Sequence, residues 1–467
     1  MNIIFVTSEV YPFQKHGGLA DISASLPKTL HQKGLHIKTI LPLYEDDEFQ
    51  HLYTFFKKKI ITFGQEKIET EYYTYHYEDY DYVYVKNSLL SALDPKETFI
   101  TYIMFNVAVL EILKDLDYKS IDILHINDWQ TSFIPFLLDT MYRPSESFYE
   151  QIKTLLTIHN LERQGQFDRQ FETYLPYKNF TYILNGHINF LKTGIMRANY
   201  INTVSRTYKK EILLRFYGFD LDSALKARQD HLEGILNGFD HHLYDPTTSR
   251  VLSINYDVDT YKMGKKQNKR TFLESIQLKD TAIPLLLFNG RLGRQKGIDL
   301  MKHAIEDGLM NETINLVVVG EGETKYEAYF KELERKYPEH MHFHEGFNQH
   351  FSEKAYAASD FFLLPSLFEP SGLNHLIAMR YGSLPIVRET GGLKDTVFSQ
   401  GPQHNGFTFI NYDEQEFQDI FLEAISHYYD DDHVFHEKIK HAMQVTSHLE
   451  DMADHYINLY QKVMLDE

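Results

Sequence analysis

The chain contains no cysteine, a single tryptophan and no long run of apolar residues. Without cysteine, neither disulfide bonds nor thiolate metal sites can form. Nowhere do about eighteen apolar residues follow one another, so the sequence predicts no membrane-spanning helix. The apolar run at the start, Ile3–Val6, is short and lacks the basic segment that precedes the core of a secretory signal peptide. We therefore expect a cytoplasmic protein that does not act in a membrane.

Basic side chains are also scarce, because 47 lysines and arginines accompany 66 aspartates and glutamates, giving a formal net charge of −19. This balance repels nucleic acids and anionic membranes, so neither is expected as a partner. A small anionic ligand would need a local pocket of positive potential. The 467 residues exceed what one hydrophobic core usually organises, which predicts two domains.

Short, largely apolar segments recur along the chain, and helical patterns separate them. They lie at Ile3–Val6, His36–Leu41, Ile121–Ile126, Thr154–Ile158, Tyr200–Val204, Leu285–Phe288, Leu316–Val319, Phe361–Leu364 and Leu384–Val387. Such segments are typical of strands that are buried on both faces of a parallel sheet. The pattern restarts after 240–250, which predicts an α/β chain with two Rossmann-like domains facing each other across a cleft.

Three further segments have distinct patterns. An amphipathic stretch that begins at Leu19 stops at Gly34, where a glycine commonly ends a helix. The tyrosine-rich segment Glu71–Val85 predicts a β-hairpin or an extension of a sheet. A sugar-stacking surface is the alternative interpretation of its rings. The final segment, Met452–Leu465, predicts a helix.

The segment from Lys15 to Gly18 directly follows the first predicted strand. Glycines at 17 and 18 let the backbone approach a ligand, and amides at the next helix N-terminus can hold an anion. Lys15 would add a positive charge. A solvated loop lysine is the alternative.

A second basic segment, Arg291–Gly297, joins a predicted strand to a helix. Its three cations, Arg291, Arg294 and Lys296, lie next to a helix N-terminus, which predicts an anion site in an otherwise acidic chain. The alternative is a basic loop exposed to solvent.

The segment Phe368–Leu373 also joins a strand to a helical pattern. Ser371 is placed to cap that helix, the backbone amides could bind a diphosphate, and Glu369 could accept hydrogen bonds from sugar hydroxyls. A capped helix with an exposed glutamate is the alternative.

Polar residues follow two more strands, Asp128 and Trp129 after the third and His159 after the fourth. Asp128 could orient a sugar, although a lone tryptophan or histidine is more often structural. No histidine or carboxylate array suggests a metal site. The pair Gly320 and Gly322 is a fragment of a dinucleotide fingerprint, and Lys325 replaces its last glycine, which disfavours NAD.

Taken in order, these segments resemble the family of bacterial glycogen synthases and plant starch synthases, which are retaining glycosyltransferases of the GT-B fold. The resemblance spans nearly the whole chain. It is carried by KHGGLAD from Lys15, HINDW from His125, TIHN from Thr157, NTVSRTY from Asn202, LEGILNGFD from Leu232, NGRLGRQKG from Asn289, FFLLPSLFEPSGL from Phe361 and RYGSLPIVRETGGLKDTV from Arg380.

The resemblance implies transfer of glucose from ADP-glucose to the non-reducing end of an α-1,4-glucan such as glycogen, with retention of configuration and without a cofactor or a metal. It also implies an acceptor-side domain over residues 1–242 and a nucleotide-sugar domain over 243–448. The segment 449–467 would form a helix that crosses back to the first domain. A UDP-glucose-dependent synthase, a glucan phosphorylase-like protein and a non-catalytic glucan-binding relative remain alternatives.

The family assigns the donor diphosphate and sugar to residues of the second domain. Arg291 and Lys296 would hold the diphosphate, and Glu369 would lie at the donor sugar. The backbone amides of Ser371, Gly372 and Leu373 would lie near both.

Residues of the first domain would complete the site. Lys15, Gly17 and Gly18 would line the donor pocket, and His159 would contact the transferring glucose. Asp128 would lie near the reacting centre, and Asn237 would lie in the cleft.

The chain departs from the family pattern at His16 (usually threonine), Arg206 (proline), Tyr244 (tryptophan), Ser371 (often cysteine) and His375 (glutamine). The substitutions at 16 and 375 leave the nucleotide preference open. Ile377 replaces the second glutamate of related retaining families, as it does in the synthases themselves.

Overall fold

Two large sheets organise two separate units of the chain. We describe a computed structural model that covers residues 1–15, 17–45, 47–64, 66–90, 95–175, 180–241, 243–279, 282–430, 433–445 and 447–466. The departure at His16 lies outside these ranges. The first unit comprises Met1–Gly238 and Leu449–Glu467, and the second comprises Phe239–His448.

The first stretch of chain, up to Gly238, contains twelve strands and seven α-helices among the described residues. They are β1 (Asn2–Val6), α1 (Gly18–Gln32), β2 (His36–Pro42), β3 (Thr54–Phe63), β4 (Glu66–Tyr77), β5 (Tyr80–Lys86), α2 (Pro95–Ile112), β6 (Ile123–Asn127), α3 (Asp128–Thr131), α4 (Ile134–Leu137), β7 (Lys153–Ile158), β8 (Gln166–Phe167), β9 (Ile183–Leu184), β10 (His187–Asn189), α5 (Phe190–Arg197), β11 (Tyr200–Thr203), α6 (Arg206–Glu211), α7 (Asp222–Ala227) and β12 (Leu232–Gly234).

The remaining chain contains six strands and nine α-helices among the described residues. They are α8 (Tyr261–Ser275), β13 (Leu285–Asn289), α9 (Ile298–Met310), β14 (Asn315–Gly320), α10 (Thr324–Lys336), β15 (Met341–Glu345), α11 (Gln349–Ala358), β16 (Phe361–Leu364), α12 (Asn374–Arg380), β17 (Leu384–Arg388), α13 (Gly391–Thr396), β18 (Phe407–Phe409), α14 (Glu414–Asp430), α15 (His433–Met443) and α16 (Leu449–Leu465). Short 3₁₀ helices lie at Gln50–Leu52, Leu113–Asp115, Ser147–Tyr149, Arg169–Tyr174, Phe180–Tyr182, Gln229–His231 and Arg294–Lys296, and a π-helix lies at Leu138–Tyr142.

The larger sheet of the first unit has nine strands in the order β12-β11-β7-β6-β1-β2-β5-β4-β3, and a small antiparallel sheet has the order β8-β10-β9. The seven strands from β12 to β5 pair in parallel, and β4 and β3 add an antiparallel edge. The apolar side chains of β1 from Ile3 to Val6 are fully buried, as the sequence predicts for a central parallel strand. The hairpin predicted in the tyrosine-rich segment is confirmed, because β4 and β5 pair antiparallel around the turn at Glu78 and Asp79.

Helix α1 shows why these segments fold as they do. Its buried residues recur on one face, among them Leu19, Ile22, Leu26 and Leu30. The helix ends at Gln32, and Gly34 follows with φ 92°, a left-handed conformation that glycine adopts without steric cost. The predicted helix and its terminator are therefore confirmed.

The second unit contains one six-stranded parallel sheet, in the order β15-β14-β13-β16-β17-β18. Its four predicted strands lie together at the centre as β14, β13, β16 and β17, and every side chain of β13 is buried. The segment after the second unit, α16, belongs to the first unit and packs against α1 and β7. In the part of the chain that the structure describes, no helix is long and apolar enough to span a bilayer.

Candidate functional site

The loop after β1 carries the first group of predicted site residues. The ammonium of Lys15 lies 2.7 and 2.9 Å from the two carboxylate oxygens of Asp21 and 5.4 Å from the ring centre of Tyr11. The amide of Gly17 donates to a carboxylate oxygen of the buried Glu9 at 3.2 Å, and Gly18 begins α1. Asp21, which belongs to the same KHGGLAD motif, therefore holds the ammonium of Lys15 near the start of α1.

Asp128 lies where β6 passes into α3. Its φ of 54° is a left-handed conformation that is uncommon outside glycine. One carboxylate oxygen accepts the amide hydrogen of His159 at 2.7 Å and that of Asn160 at 3.4 Å. Burial nevertheless raises the pKa of Asp128 to about 7, and the nearby charge of Glu9 adds to that rise. The carboxyl group therefore fixes the loop after β7 and titrates near neutral pH.

The ring of His159 is held in one tautomer. Its Nε2 lies 3.0 Å from Oδ1 of Asn127, whose amide nitrogen donates to the carbonyl of Val6. Because Oδ1 can only accept, Nε2 carries the hydrogen and donates it. Burial lowers the pKa of His159 to about 3, so the ring is neutral at physiological pH. Asn127 was not predicted as a site residue, although it precedes Asp128 in the same motif.

Two other residues of the first unit have different surroundings. His125 is fully buried in β6, where its ring nitrogens contact the hydroxyl groups of Tyr460 at 2.7 Å and Thr157 at 2.8 Å. Its role is thus structural. Asn237 is also buried, and its Oδ1 accepts no hydrogen bond within the described ranges. Burying an oxygen atom without a hydrogen-bond donor is costly. Oδ1 of Asn237 is therefore available to accept a hydrogen bond from a ligand.

In the second unit, the loop after β13 presents two of the predicted cations. The guanidinium of Arg291 is exposed and donates to the side-chain oxygen of Gln295 at 3.3 Å. The ammonium of Lys296 lies 2.7 Å from a carboxylate oxygen of Glu369. Gly297 has φ 72°, and a Cβ there would lie 1.9 Å from the carbonyl oxygen of Pro365. Only a glycine at position 297 therefore lets the loop after β13 lie this close to the loop after β16, which contains Pro365.

Glu369 is buried rather than exposed. One carboxylate oxygen accepts from Lys296 and from the hydroxyl of Ser366 at 3.0 Å. Gly391 packs on this loop with φ 46°, and a Cβ there would lie 1.8 Å from the carbonyl oxygen of Glu369. The carbonyl of Gln295 accepts the amide hydrogen of Leu367 at 2.8 Å, which joins the loop after β13 to the loop after β16. The two predicted loops thus form one cluster around a lysine–glutamate ion pair.

Ser371 does not cap the following helix, and that prediction is wrong. Helix α12 begins at Asn374 with Leu373 as its first flanking residue, and no side chain in the described part of the chain caps it. Gly372, in a left-handed conformation with φ 74°, turns the chain before the helix starts. Ser371 is instead buried, and its hydroxyl has no hydrogen-bond partner among the residues described. Leu373 is half-buried.

His375 lies behind this loop and is fully buried. Its Nε2 is 2.7 Å from the hydroxyl oxygen of Thr396, and that hydroxyl donates to the carbonyl of Gly392. Nε2 therefore carries the hydrogen, and Nδ1 is an acceptor that no described residue satisfies. Burial, followed by the charge of Lys296, lowers the pKa of His375 to about 3. Within the described chain, no three histidine or carboxylate side chains are grouped to hold a metal ion.

Comparison with known proteins gives consistent matches. The family model described as starch synthase catalytic domain matches residues 2–227, and that of glycosyl transferases group 1 matches residues 269–442. The chain is 41% identical to a glycogen synthase of Acholeplasma laidlawii over 478 aligned residues, covering 99% of both chains. It is 37% identical to a glycogen synthase of Bacillus anthracis, covering 99% of this chain and all of the other.

Solved structures show the same architecture. The catalytic domain of starch synthase IV from Arabidopsis thaliana, bound to ADP and acarbose, superposes with a TM-score of 0.91 at 28% identity, with 99% of each chain covered. A sucrose-phosphate synthase from Thermosynechococcus elongatus gives a TM-score of 0.64 at 16% identity over the full length of both chains. At that identity the second likeness concerns the fold alone.

Proposed function

The chain belongs to the glycogen synthase and starch synthase family of GT-B glucosyltransferases, and from that premise we propose that it transfers glucose from ADP-glucose to the non-reducing end of an α-1,4-glucan with retention of configuration. The observation that carries the proposal is the cluster around Lys296 and Glu369. It combines a cation for a diphosphate with a buried carboxylate that can accept hydrogen bonds from a sugar. The similar starch synthase IV structure holds ADP and acarbose, which supports this pair of ligands.

The second unit, Phe239–His448, would bind the nucleotide sugar. Negative charge develops on the diphosphate as its bond to the sugar breaks, and Arg291 and Lys296 would stabilise that charge more in the transition state than in the ground state. Glu369 would accept hydrogen bonds from the donor sugar. The amides from Ser371 to Leu373 would lie near the phosphate.

The first unit would supply the residues around the transferring glucose and the acceptor. The acceptor hydroxyl oxygen forms the new bond to the anomeric carbon on the face that the diphosphate leaves, and its proton passes to the departing phosphate. The backbone carbonyl of His159 and the carboxylate of Asp128 would stabilise the positive charge on the sugar. Lys15, Gly17, Gly18 and Asn237 would complete the donor contacts. We also place this reaction in the cytoplasm.

A donor competition experiment tests the proposal. The purified protein is incubated with glycogen and either ADP-glucose or UDP-glucose, and the released nucleotide is measured together with the incorporation of radiolabelled glucose. We expect faster release and incorporation with ADP-glucose. Preference for UDP-glucose would overturn the donor assignment, and binding of glycogen without incorporation from either donor would identify a non-catalytic relative. Glucan phosphorylase activity would instead appear as phosphate-dependent release of glucose 1-phosphate.

A further inference from the structure

The tyrosine-rich hairpin of β4 and β5 has one face of aromatic rings that the proposed mechanism does not use. Tyr75 and Tyr77 of β4 pair with Tyr82 and Tyr80 of β5, so the alternation of side chains along each strand places these rings on the same face. Tyr80 and Tyr82 are buried, and Tyr75 and Tyr77 are half-buried. Another segment of the first unit therefore covers most of this face.

That segment is the turn that leads from β1 to Lys15. Phe13 lies in this turn and is only 4% exposed. Its ring centre lies 5.2–6.4 Å from those of six other aromatic rings, at interplanar angles of 75–88°. Rings that meet edge to face at such distances attract each other beyond the gain from burial alone. The six rings, which we call the aromatic socket, are those of Phe49, Tyr53, Tyr75, Tyr77, Tyr82 and Tyr84.

Several contacts hold the aromatic socket in shape. The ring of Tyr53 stacks on that of Tyr84 with centres 4.1 Å apart, and its hydroxyl donates to the buried carboxylate of Asp47 at 2.7 Å. On the same face, the hydroxyl groups of Tyr80 and of Thr39 in β2 are hydrogen-bonded at 2.9 Å. Strand β5 itself pairs with β2 inside the nine-stranded sheet. The socket is therefore continuous with the core of the first unit and can fix the side chain that fills it.

The turn between β1 and Lys15 is short and is held by backbone hydrogen bonds. The amide of Gln14 donates to the carbonyl of Val10 at 2.9 Å, and that of Tyr11 donates to the carbonyl of Ala20 in α1 at 3.1 Å. The ammonium of Lys15 lies 5.4 Å from the ring centre of Tyr11, which belongs to the same turn. Because so few residues separate the phenylalanine ring from the lysine, a shift of that ring in the socket would displace the ammonium as well.

We propose that Phe13 is a positioning residue for the nucleotide-sugar donor, an inference that rests on the proposed function. Phe13 would touch neither the substrates nor the reacting atoms. Its ring, held in the aromatic socket, would fix the turn so that the ammonium of Lys15 meets the donor in the correct geometry. A preorganised cation stabilises developing charge without reorganising during the reaction, so a turn released from the socket would lose donor affinity and rate.

Substitution of Phe13 tests this inference. In Phe13→Ala we expect kcat/KM for ADP-glucose to fall by about 10², the cost of a small misplacement at the site, while KM for glycogen stays within twofold of the wild type. Calorimetry should show ADP binding weakened about tenfold, which corresponds to the loss of one hydrogen bond to a charged group. Phe13→Leu still fills the socket, so it should recover most of the ADP affinity. Thermal unfolding checks that each variant is folded at the assay temperature.

Two substitutions in β4 test the socket without altering the turn. Tyr75→Ala removes a half-buried ring whose centre lies 5.9 Å from that of Phe13, and ADP binding should weaken severalfold although position 75 is far from Lys15 in the sequence. Tyr73→Ala is the matched control, because Tyr73 is half-buried on the same face of the same strand and its ring packs against Phe55. Its ADP affinity should equal that of the wild type. Both rings are partly exposed, so this comparison still tests the socket if Phe13→Ala does not fold.

A double-mutant cycle shows whether Phe13 acts through Lys15. If it does, Phe13→Ala should weaken ADP binding about tenfold in the wild type but less than twofold in a Lys15→Ala background. Equal effects in the two backgrounds, or ADP affinity within twofold of the wild type in both Phe13→Ala and Tyr75→Ala, would overturn the inference and leave the proposed function intact. A coupled loss of ADP affinity in a protein that transfers no glucose to glycogen would support the positioning role and refute the proposed function.

Discussion

The ammonium of Lys296 lies 2.7 Å from a carboxylate oxygen of Glu369, a residue 73 positions further along the chain. The carboxylate is buried, and the same oxygen also accepts a hydrogen bond from the hydroxyl of Ser366. A buried ion pair depends on both partners, because removing one leaves an uncompensated charge. Lys296 would therefore have two separable roles, one as the ion-pair partner of the buried Glu369 and one in binding the diphosphate.

Lys296→Ala should reduce both activity and stability. We expect kcat to fall by about 10²–10³, or roughly 3–4 kcal/mol, through the loss of electrostatic stabilisation of the leaving group. The free energy of unfolding should fall by about 3–5 kcal/mol, because Glu369 loses its partner. Steady-state kinetics and urea unfolding measure the two effects.

Two further variants control for the loss of stability. Arg291→Ala removes an exposed guanidinium, so it should lower kcat by a similar factor while the free energy of unfolding changes by less than about 0.5 kcal/mol. Lys331→Ala, on the exposed face of α10, should change neither quantity appreciably. Normal activity in a folded Arg291→Ala protein would contradict its role at the diphosphate.

The titration of Asp128 predicts a pH dependence of activity. Burial raises the pKa of Asp128 to about 7, and its ionised form would stabilise positive charge on the sugar. Activity should therefore rise as pH increases through about 7, between pH 6 and 8. Asp128→Asn keeps an oxygen that accepts the amide hydrogens of His159 and Asn160, but it should be slower and lose this dependence. The exposed Asp454→Asn is the control, and the inflection should persist in it.

The sequence predicted the central strands of the two large sheets because those strands are buried on both faces and are largely apolar. Strand β15, Met341–Glu345, was not predicted because it is at a sheet edge, where polar and apolar residues alternate. Strand β3, Thr54–Phe63, was missed for the same reason, since most of its residues are exposed. Periodicity reports burial, so it identifies core strands more readily than edge strands.

The sequence named individual candidate site residues but not the contacts between them. The motifs located Lys296 and Glu369, yet no spacing in the sequence indicates that a buried ion pair joins them. The tautomers of His159 and His375 depend on Asn127 and Thr396, which become neighbours only through the fold. Ser371 was predicted as a helix cap from its residue type alone. The left-handed conformation of Gly372 turns the chain before α12 begins, so Ser371 does not cap that helix.

The burial of His375 predicts that stability falls in acid. Burial and the charge of Lys296 lower the pKa of His375 to about 3, whereas in the unfolded chain a histidine titrates near 6.5. The unfolded state thus binds the extra proton first as pH falls below about 6.5, and folding stability drops by about 1.4 kcal/mol per pH unit. His375→Gln should remove that contribution, so the wild type should lose about 2 kcal/mol more than the variant between pH 6.5 and 5.

Urea unfolding at several pH values measures this difference. Glutamine at position 375 can still donate to the hydroxyl of Thr396, so the variant should fold. His303→Gln, on the exposed side of α9, is the matched control and should parallel the wild type. Equal pH dependence in the wild type and His375→Gln would show that the buried ring does not control acid stability.

Removal of divalent cations should leave the reaction unaffected. The proposed mechanism neutralises the diphosphate with Arg291 and Lys296, which are fixed cations, so it requires no metal ion. We expect the rate of ADP release to be the same after dialysis against EDTA as after addition of magnesium. A rate that EDTA abolishes and magnesium restores would show that these two side chains do not suffice.

The contact between His125 and Tyr460 predicts that the last helix supports the strand before Asp128. The hydroxyl of Tyr460 lies 2.7 Å from Nδ1 of His125, and both side chains are fully buried. Tyr460→Phe keeps the ring and removes this hydrogen bond, leaving one nitrogen of His125 without that partner. The free energy of unfolding should fall by about 1–3 kcal/mol, the cost of an unsatisfied buried polar group.

The effect on activity distinguishes packing from positioning. If α16 only adds stability, kcat of folded Tyr460→Phe at 25 °C equals that of the wild type. We expect instead that kcat falls severalfold, because β6 leads directly into Asp128. Tyr429→Phe is a suitable control, since Tyr429 is 50% exposed and its hydroxyl donates to the carbonyl of Thr313 in the second unit. A Tyr460→Phe protein with unchanged stability would show that the buried hydroxyl is dispensable.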